Sequence, residues 1–566
     1  MKKFLAILLT LLMLCSVVAL PASAVTNAHK KMPVIFIAGS SVDLVDGDQN
    51  PISTGFDVLT DDDEGDGITK DKIIETAMNI IMPFVLEGLP MDKWDNYGKA
   101  LYEELAPIFE EGQLDGDGNP KFGTGVAKAE VEKWDKNALV DHGKDNWFGM
   151  RDYDFRYDWR LSPYDHVDRL HEYIKTIIKT TGCKQVALVG RCLGGNIITA
   201  YLDEYGDEKL VGKVVYDEVM SNGSVVVNDI FSGKIKFSDK HVQAYVLESE
   251  HFGKQDVGID LIGVSDLLLE IVETTLDLAT QTGTLELVFG SVELLYERLF
   301  EAFMPAMLQA TGIGTWVSYW SSLCDADFDA ALDLLFGKKG TEGREANAGL
   351  IAKITEVRER IVKPRELQGD ENLYKRFVKE YGVEIAVIAG YGLVNPPIIE
   401  SYDANGDCTV DTKCSSFGAT VAGVFDKLPQ EYIDAQVVAG NGKYISVDGK
   451  VDASTCLFPE TTWFIKNKHH DTWRPIVTIA EYFTQYENVN ATENSKNILR
   501  FQVIDPNGDI EKAVNMTEEN CVDGPWLTVV EQEPTKETAI ASLIRFFTTI
   551  FKAITAWLNG LFNIEG

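Results

Sequence analysis

A short apolar run, Val186-Ala187-Leu188-Val189, feeds the turn Gly190-Arg191-Cys192-Leu193-Gly194, and the chain leaves through Gly195-Asn196-Ile197-Ile198 in helical pattern. A thiol at the apex of a tight strand-to-helix turn is placed for nucleophilic attack. Any Cβ at Gly190 or Gly194 is expected to collide with the neighbouring strand and helix. The helix that follows aims its free N–H groups and positive end at the turn, which favours a thiolate at Cys192. The alternative is a buried structural cysteine in a glycine-rich turn. Two further stretches carry chemistry-bearing side chains. One is the loop Tyr402-Asp403-Ala404-Asn405-Gly406-Asp407-Cys408-Thr409-Val410-Asp411. It begins like a calcium loop, but Cys408 stands where glycine is needed and Cys414 where the bidentate glutamate belongs. The other is Thr462–Lys468, a strand pattern that runs into His469 and His470. The chain has eight histidines, and only these two follow the Asp407 loop.

The elements that must hold these groups read as an alternation of strands and helices. Met32–Ala38 is a buried strand entering Gly39-Ser40-Ser41, and Tyr153–Pro163 precedes an amphipathic helix from about Val167 to Thr180. Lys213–Asp217 and Glu384–Gly390 are further strands, and residues 71–88 and 98–111 have helical pattern. Between the last two strands, residues 258–340 carry long helical patterns with apolar positions from Leu261 to Phe303, followed by Trp316, Tyr319 and Trp320.

Strand, Gly-x-nucleophile-x-Gly turn and helix together resemble the nucleophile elbow of α/β-hydrolases, with cysteine in place of serine. Tyr157-Asp158-Trp159-Arg160-Leu161, a helix and then the elbow resemble the lecithin:cholesterol acyltransferase-like family of lipases, phospholipases and acyltransferases. The run Cys192-Leu193-Gly194-Gly195 also resembles the elbow of dienelactone hydrolases. The first resemblance implies a Cys192, Asp407, His470 triad in the chain order nucleophile, acid, base. Gly406-Asp407-Cys408-Thr409-Val410 is similar to that family's Gly-Asp-Gly-Thr-Val, with Cys408 in the second glycine's place. The family's base lies at the histidine pair, where spacing from the strand favours His470 and leaves His469 as the alternative. The resemblance further implies an oxyanion hole built from the N–H of Leu193 and that of Ser40 or Ser41. The turn Asn222-Gly223-Ser224 is similar to the point where that family's chain departs into its cap.

Composition narrows the setting. The chain has 566 residues and a formal charge of −36, so nucleic acid is excluded as a partner and anionic lipid surfaces repel it. Met1-Lys2-Lys3, an apolar run to Leu20 and Ala22-Ser23-Ala24 read as a cleaved secretory leader, which implies export; losing Lys2 and Lys3 makes the charge more negative still. Leu14 before Cys15 is a poor match to a lipidation site. With Cys15 removed, an odd number of cysteines remains, so at least one is unpaired within the chain, and Cys192 is the natural candidate. Cys408 with Cys414 and Cys456 with Cys521 are conceivable pairs. The acidic loops at 43–70 and 112–122 read as solvated turns rather than metal sites.

The fold expected is an α/β-hydrolase fold with a helical cap insertion, a small C-terminal β-rich appendage and an amphipathic helix. The boundaries expected are a leader at 1–24, core at 25–257, cap at 258–345, core again at 346–490, appendage at 491–533 and helix segment at 534–566. Within the last, Thr538–Phe562 places Leu543, Phe547, Ile550, Ile554, Trp557 and Leu561 on one face. That face docks on the body of the protein or makes a peripheral membrane contact; with only Arg545 and Lys552 opposite, docking is favoured. The expected activity is acyl transfer or hydrolysis at a lipid-like ester through a thioester, with no metal or organic cofactor. The rivals are a non-catalytic exported binding protein on the same scaffold and a hydrolase of small cyclic esters.

Overall fold

In the computed structural model, residues 32–40, 44–52, 70–143, 153–252, 288, 292–472, 474–492 and 496–528 are described. The expected leader, Ser41, much of the expected cap and the C-terminal helix lie outside them. One eight-stranded sheet organises the chain. Its strands are β1 (Val34–Ile37), β2 (Tyr153–Asp154), β3 (Val186–Arg191), β4 (Val211–Asp217), β5 (Glu384–Tyr391), β6 (Thr462–Lys466), β7 (Phe501–Ile504) and β8 (Ala513–Asn515). Across the sheet they run β8-β7-β6-β5-β4-β3-β1-β2. Every pairing is parallel except that of β7 with β8.

Apolar residues fill these strands because both faces are covered. Ala187 and Val189 of β3, Val215 of β4 and Ile388 of β5 point to one face, against Ile476, Ile479 and Phe483 of the helix Arg474–Gln485. Leu188, Val214, Tyr216 and Val387 alternate to the other face. There they meet Leu170, Ile174 and Ile177 of α1 (Val167–Thr181) and Ile197, Ile198 and Tyr201 of α2 (Gly194–Tyr205). The molecule is thus mixed α/β, a mostly parallel sheet flanked by helices.

Two expectations differ from what is found. The strand pattern near 498–504 does not begin a separate appendage: β7 pairs in parallel with β6 and extends the main sheet, and β8 closes its edge. A parallel partner needs a crossover helix, and the helix Arg474–Gln485 supplies it. Trp316 and Trp320, within the segment expected to form a cap, belong to the core. Both are fully buried, and Trp316 stands edge-on to Trp159 with ring centroids 4.8 Å apart. The Trp316 indole N–H donates to the Gly112 carbonyl and that of Trp320 to the Gly314 carbonyl. Trp316→Ala is therefore expected to cost about 3–5 kcal/mol of stability, read by chemical denaturation. A variant as stable as the parent would show that the indole is not part of the core. The helix α3 (Val292–Ala310) precedes this segment, and Asn196 of α2 ties the segment to the turn helix by donating to the Ser318 carbonyl at 3.2 Å.

Candidate active site

All the sequence-derived candidates that are described lie at the carboxyl ends of strands in the middle of the sheet, where parallel sheets present their loops to ligands. Cys192 follows β3, Asp407 lies in the excursion after β5, and His470 follows β6. The elbow is as tight as the glycines suggest. A Cβ on Gly194 would run into the backbone carbonyl of Ile37 at the end of β1, and one on Gly190 would meet Ile198 Cδ1 at 2.6 Å. Cys192 itself has φ 52°, a conformation that side chains other than glycine adopt at a cost of about 1–3 kcal/mol. Glu218 (φ 46°) and Asn467 (φ 59°) share this strain directly after β4 and β6, and Cys408 (φ 77°) shares it in the loop of Asp407.

The side chains meet in a relay. His470 Nδ1 is 2.9 Å from Asp407 Oδ2, and the Cys192 thiol lies near enough to the ring to bear on its protonation. The other Asp407 oxygen accepts from the backbone N–H groups of Thr409 at 2.9 Å and Val410 at 2.7 Å. The two loops are stitched together as well, the His470 N–H donating to the Asp407 carbonyl at 3.0 Å. Burial pulls the His470 imidazole toward neutrality, but the charges of Asp407 and Cys192 and its hydrogen bonds to both outweigh it and hold it protonated well above the usual range. Burial likewise works against the Asp407 charge; His470, the Val410 N–H and Lys468 overcome it and keep the carboxyl below its ordinary range.

His469 is turned elsewhere. Its Nε2 lies 3.1 Å from Cys408 Sγ, its Nδ1 accepts from the Asp471 N–H at 3.3 Å, and its ring packs 4.8 Å from that of Phe252. Of the two histidines, then, only His470 joins Cys192 and Asp407. Cys408 occupies the left-handed conformation for which glycine is suited, which accounts for its odd place in the loop pattern.

The expected oxyanion donors sit close to the thiol. A Cβ on Gly39 would lie 2.8 Å from Cys192 Cβ, 3.2 Å from its Sγ and 3.4 Å from the Leu193 nitrogen, so only glycine lets the β1 loop approach this near. Ser40 is buried next to it. Tyr157 fastens the same loop by donating its hydroxyl to the Ala38 carbonyl at 2.7 Å. Asp158 and Arg160, both buried, form a two-pronged pair at 3.0 and 2.7 Å, so Asp158-Trp159-Arg160 serves as a structural clasp. Tyr157 and Tyr319 are buried beside the thiol; burial first, then the Cys192 charge, pushes both phenols far above their usual range.

Sequence reasoning missed Gly39, Tyr319, Glu218 and Lys468. Glu218 and Lys468 form a wholly buried ion pair beside His470. Glu218, Asp407 and His470 each offer a possible ligand atom within 4.8 Å of the others. The Lys468 ammonium already occupies the Glu218 carboxylate, so a cation placed there would face a buried positive charge. Those three groups therefore suit proton and charge management better than metal binding. All seven cysteines from Cys183 to Cys521 are free thiols, including Cys408, Cys414, Cys456 and Cys521. No helix among the described residues is long and apolar enough to cross a membrane. Comparison of the chain with protein-family models, with curated proteins and with solved structures found no match.

Proposed function

We propose that the protein is an acyl-ester hydrolase or acyltransferase of α/β-hydrolase type, related to the lecithin:cholesterol acyltransferase-like enzymes and using a cysteine nucleophile. The observation that carries this reading is the strained Cys192 at a strand-to-helix turn beside His470, a histidine that Asp407 holds from behind at 2.9 Å. In the mechanism, the thiol proton resides on His470 Nε2 in a thiolate–imidazolium pair, and the sulfur attacks the ester carbonyl. The N–H of Leu193, with one from the Ser40 loop, stabilises the tetrahedral oxyanion, each donor being worth about 3–4 kcal/mol in comparable sites. His470 then gives its proton to the departing alcohol, leaving an acyl thioester on Cys192. Water or another acceptor resolves that thioester, with His470 again the base. Asp407 keeps the proton on Nδ1 throughout and stabilises the imidazolium. The likeness of Tyr157-Asp158-Trp159-Arg160-Leu161 to that family favours a lipid-like ester.

The chemistry calls for no cofactor, and the acidic chain for no nucleic-acid partner. Export through the N-terminal leader is part of the same proposal, as is docking of the C-terminal helix on the body. The test is turnover of p-nitrophenyl esters from acetate to palmitate, with and without iodoacetamide. Alkylation is expected to abolish turnover, with medium or long chains preferred. Turnover that survives full alkylation of Cys192 would refute the cysteine mechanism, and a strict preference for acetate or cyclic esters would favour the small-ester reading.

A further inference from the structure

Glu218 is the first residue after β4, between the strands that carry Cys192 and Asp407. It is completely buried, adopts φ 46° and donates its N–H to the Ile388 carbonyl at 2.9 Å. Its Oε2 is 2.5 Å from Lys468 Nζ and 3.8 Å from His470 Nδ1, the same ring nitrogen that bonds Asp407. Its Oε1 is buried with no hydrogen-bond partner among the described residues. Gly390 of β5 leaves the space that this oxygen fills: a Cβ there would run into Oε1 and would meet Asp407 Cβ at 2.9 Å. A buried ion pair loses much of its Coulomb gain to desolvation and is weak support for a fold. Strained backbone, an unsatisfied oxygen and a glycine cleared to admit it are therefore better explained by what the carboxylate does to the imidazole.

We propose that Glu218 is a second positioning carboxylate for His470, stabilising the imidazolium alongside Asp407 and accepting the Nδ1 proton when Asp407 cannot, with Lys468 as the counter-ion that fixes its distance. At 3.8 Å it is too far for a hydrogen bond in the resting arrangement, so its everyday contribution is Coulombic. The charged groups around it are mixed: Glu218 faces Lys468, Asp407, Asp217 and His470, and His470 faces Cys192, Asp407 and Glu218. Arg191 lies on the Asp217 side of the cluster. Burial raises the Glu218 carboxyl to about 8 despite the pull of Lys468, with Asp407 and Asp217 adding to the rise. The charge state of this carboxylate can therefore be followed by titration.

This inference rests on the cysteine–histidine reading above, so its test has one arm that needs no turnover. Histidine-labelled protein is titrated by NMR as the parent, as Glu218→Gln and as Glu218→Gln/Lys468→Met, the last leaving no unpaired ammonium if the first fails to fold. The His470 midpoint is expected to drop by about one pH unit in Glu218→Gln and by less in the double variant. An unchanged midpoint in both would overturn the proposal. The second arm compares ester turnover of Asp407→Asn with Asp407→Asn/Glu218→Gln. Residual rate in Asp407→Asn should climb with pH as Glu218 ionises, at or below pH about 8, because losing the Asp407 charge eases that ionisation. Adding Glu218→Gln should abolish the climb and lower the rate about tenfold or more. Equal rates and profiles would overturn the role of Glu218, whereas an inactive parent would sink the proposed function and leave the NMR arm to decide on Glu218.

Discussion

Replacing Cys192 with alanine is expected to abolish ester turnover, a loss of several orders of magnitude, while leaving the protein folded. The reasoning joins two links. Chemically, the thiol is the nucleophile beside His470, and alanine leaves no sulfur to attack the ester. Structurally, the substitution removes one sulfur from a buried turn whose shape is set by Gly39, Gly190 and Gly194 rather than by Cys192. Stability should therefore change by about 1 kcal/mol or less, as measured by denaturant titration. Cys192→Ser puts a hydroxyl where the thiol was, but its higher pKa demands more of His470, so its rate should lie between those of the parent and the alanine variant. Full turnover by Cys192→Ala would return Cys192 to a structural role.

The second large effect concerns the base and the acid. His470→Ala should lower turnover by several orders of magnitude, whereas His469→Ala should cost far less, because the His469 ring is engaged with Cys408 and Phe252. Asp407→Asn should also be severe, since an amide can neither stabilise the imidazolium nor enforce the Nδ1–H tautomer. Cys192→Ala combined with His470→Ala should be scarcely worse than either alone. The same pair of groups fixes the pH behaviour. His470 is held protonated above its ordinary range, so its stabilisation of the fold is complete below its unfolded pKa of about 6.5 and is lost as pH rises through the higher folded value. Asp407 is held below its ordinary range; its share is present above about pH 4 and is lost as pH falls through the lower folded value. Asp407→Asn should therefore flatten the stability profile at both ends. If His469→Ala is the dead variant, the base moves by one residue; if all three variants turn over normally, the triad is wrong.

The elbow was legible because glycine spacing reports close backbone approach, and the structure finds neighbouring atoms pressed against both glycines. Asp407 was legible through its loop pattern even though Cys408 broke it, since the backbone there keeps a glycine-like conformation whatever the side chain. Glu218 was not. In sequence, Asp217-Glu218 is an ordinary acidic end to a strand, and only the adjacency of β4 to β5 brings it beside His470. Lys468 was hidden for the same reason, reading as one more charge in a basic run. The helical period across 292–336 could not tell core from cover, because Trp316 and Trp320 satisfy either. Register across the sheet decided the fate of Phe501–Ile504 too: its apolar pattern fits an independent hairpin as well as it fits an extra strand beside β6.

The central claim is covalent: an acyl group passes through the sulfur of Cys192. Protein mixed with a p-nitrophenyl ester, quenched in acid within a turnover and digested, should yield the Cys192 peptide heavier by the mass of the acyl group. Hydroxylamine should strip that mass, and neither His470→Ala nor Cys192→Ala should form the adduct. Active protein whose acyl group is found on another residue, or whose Cys192 peptide never carries one under conditions that trap a control thioester, would contradict the account.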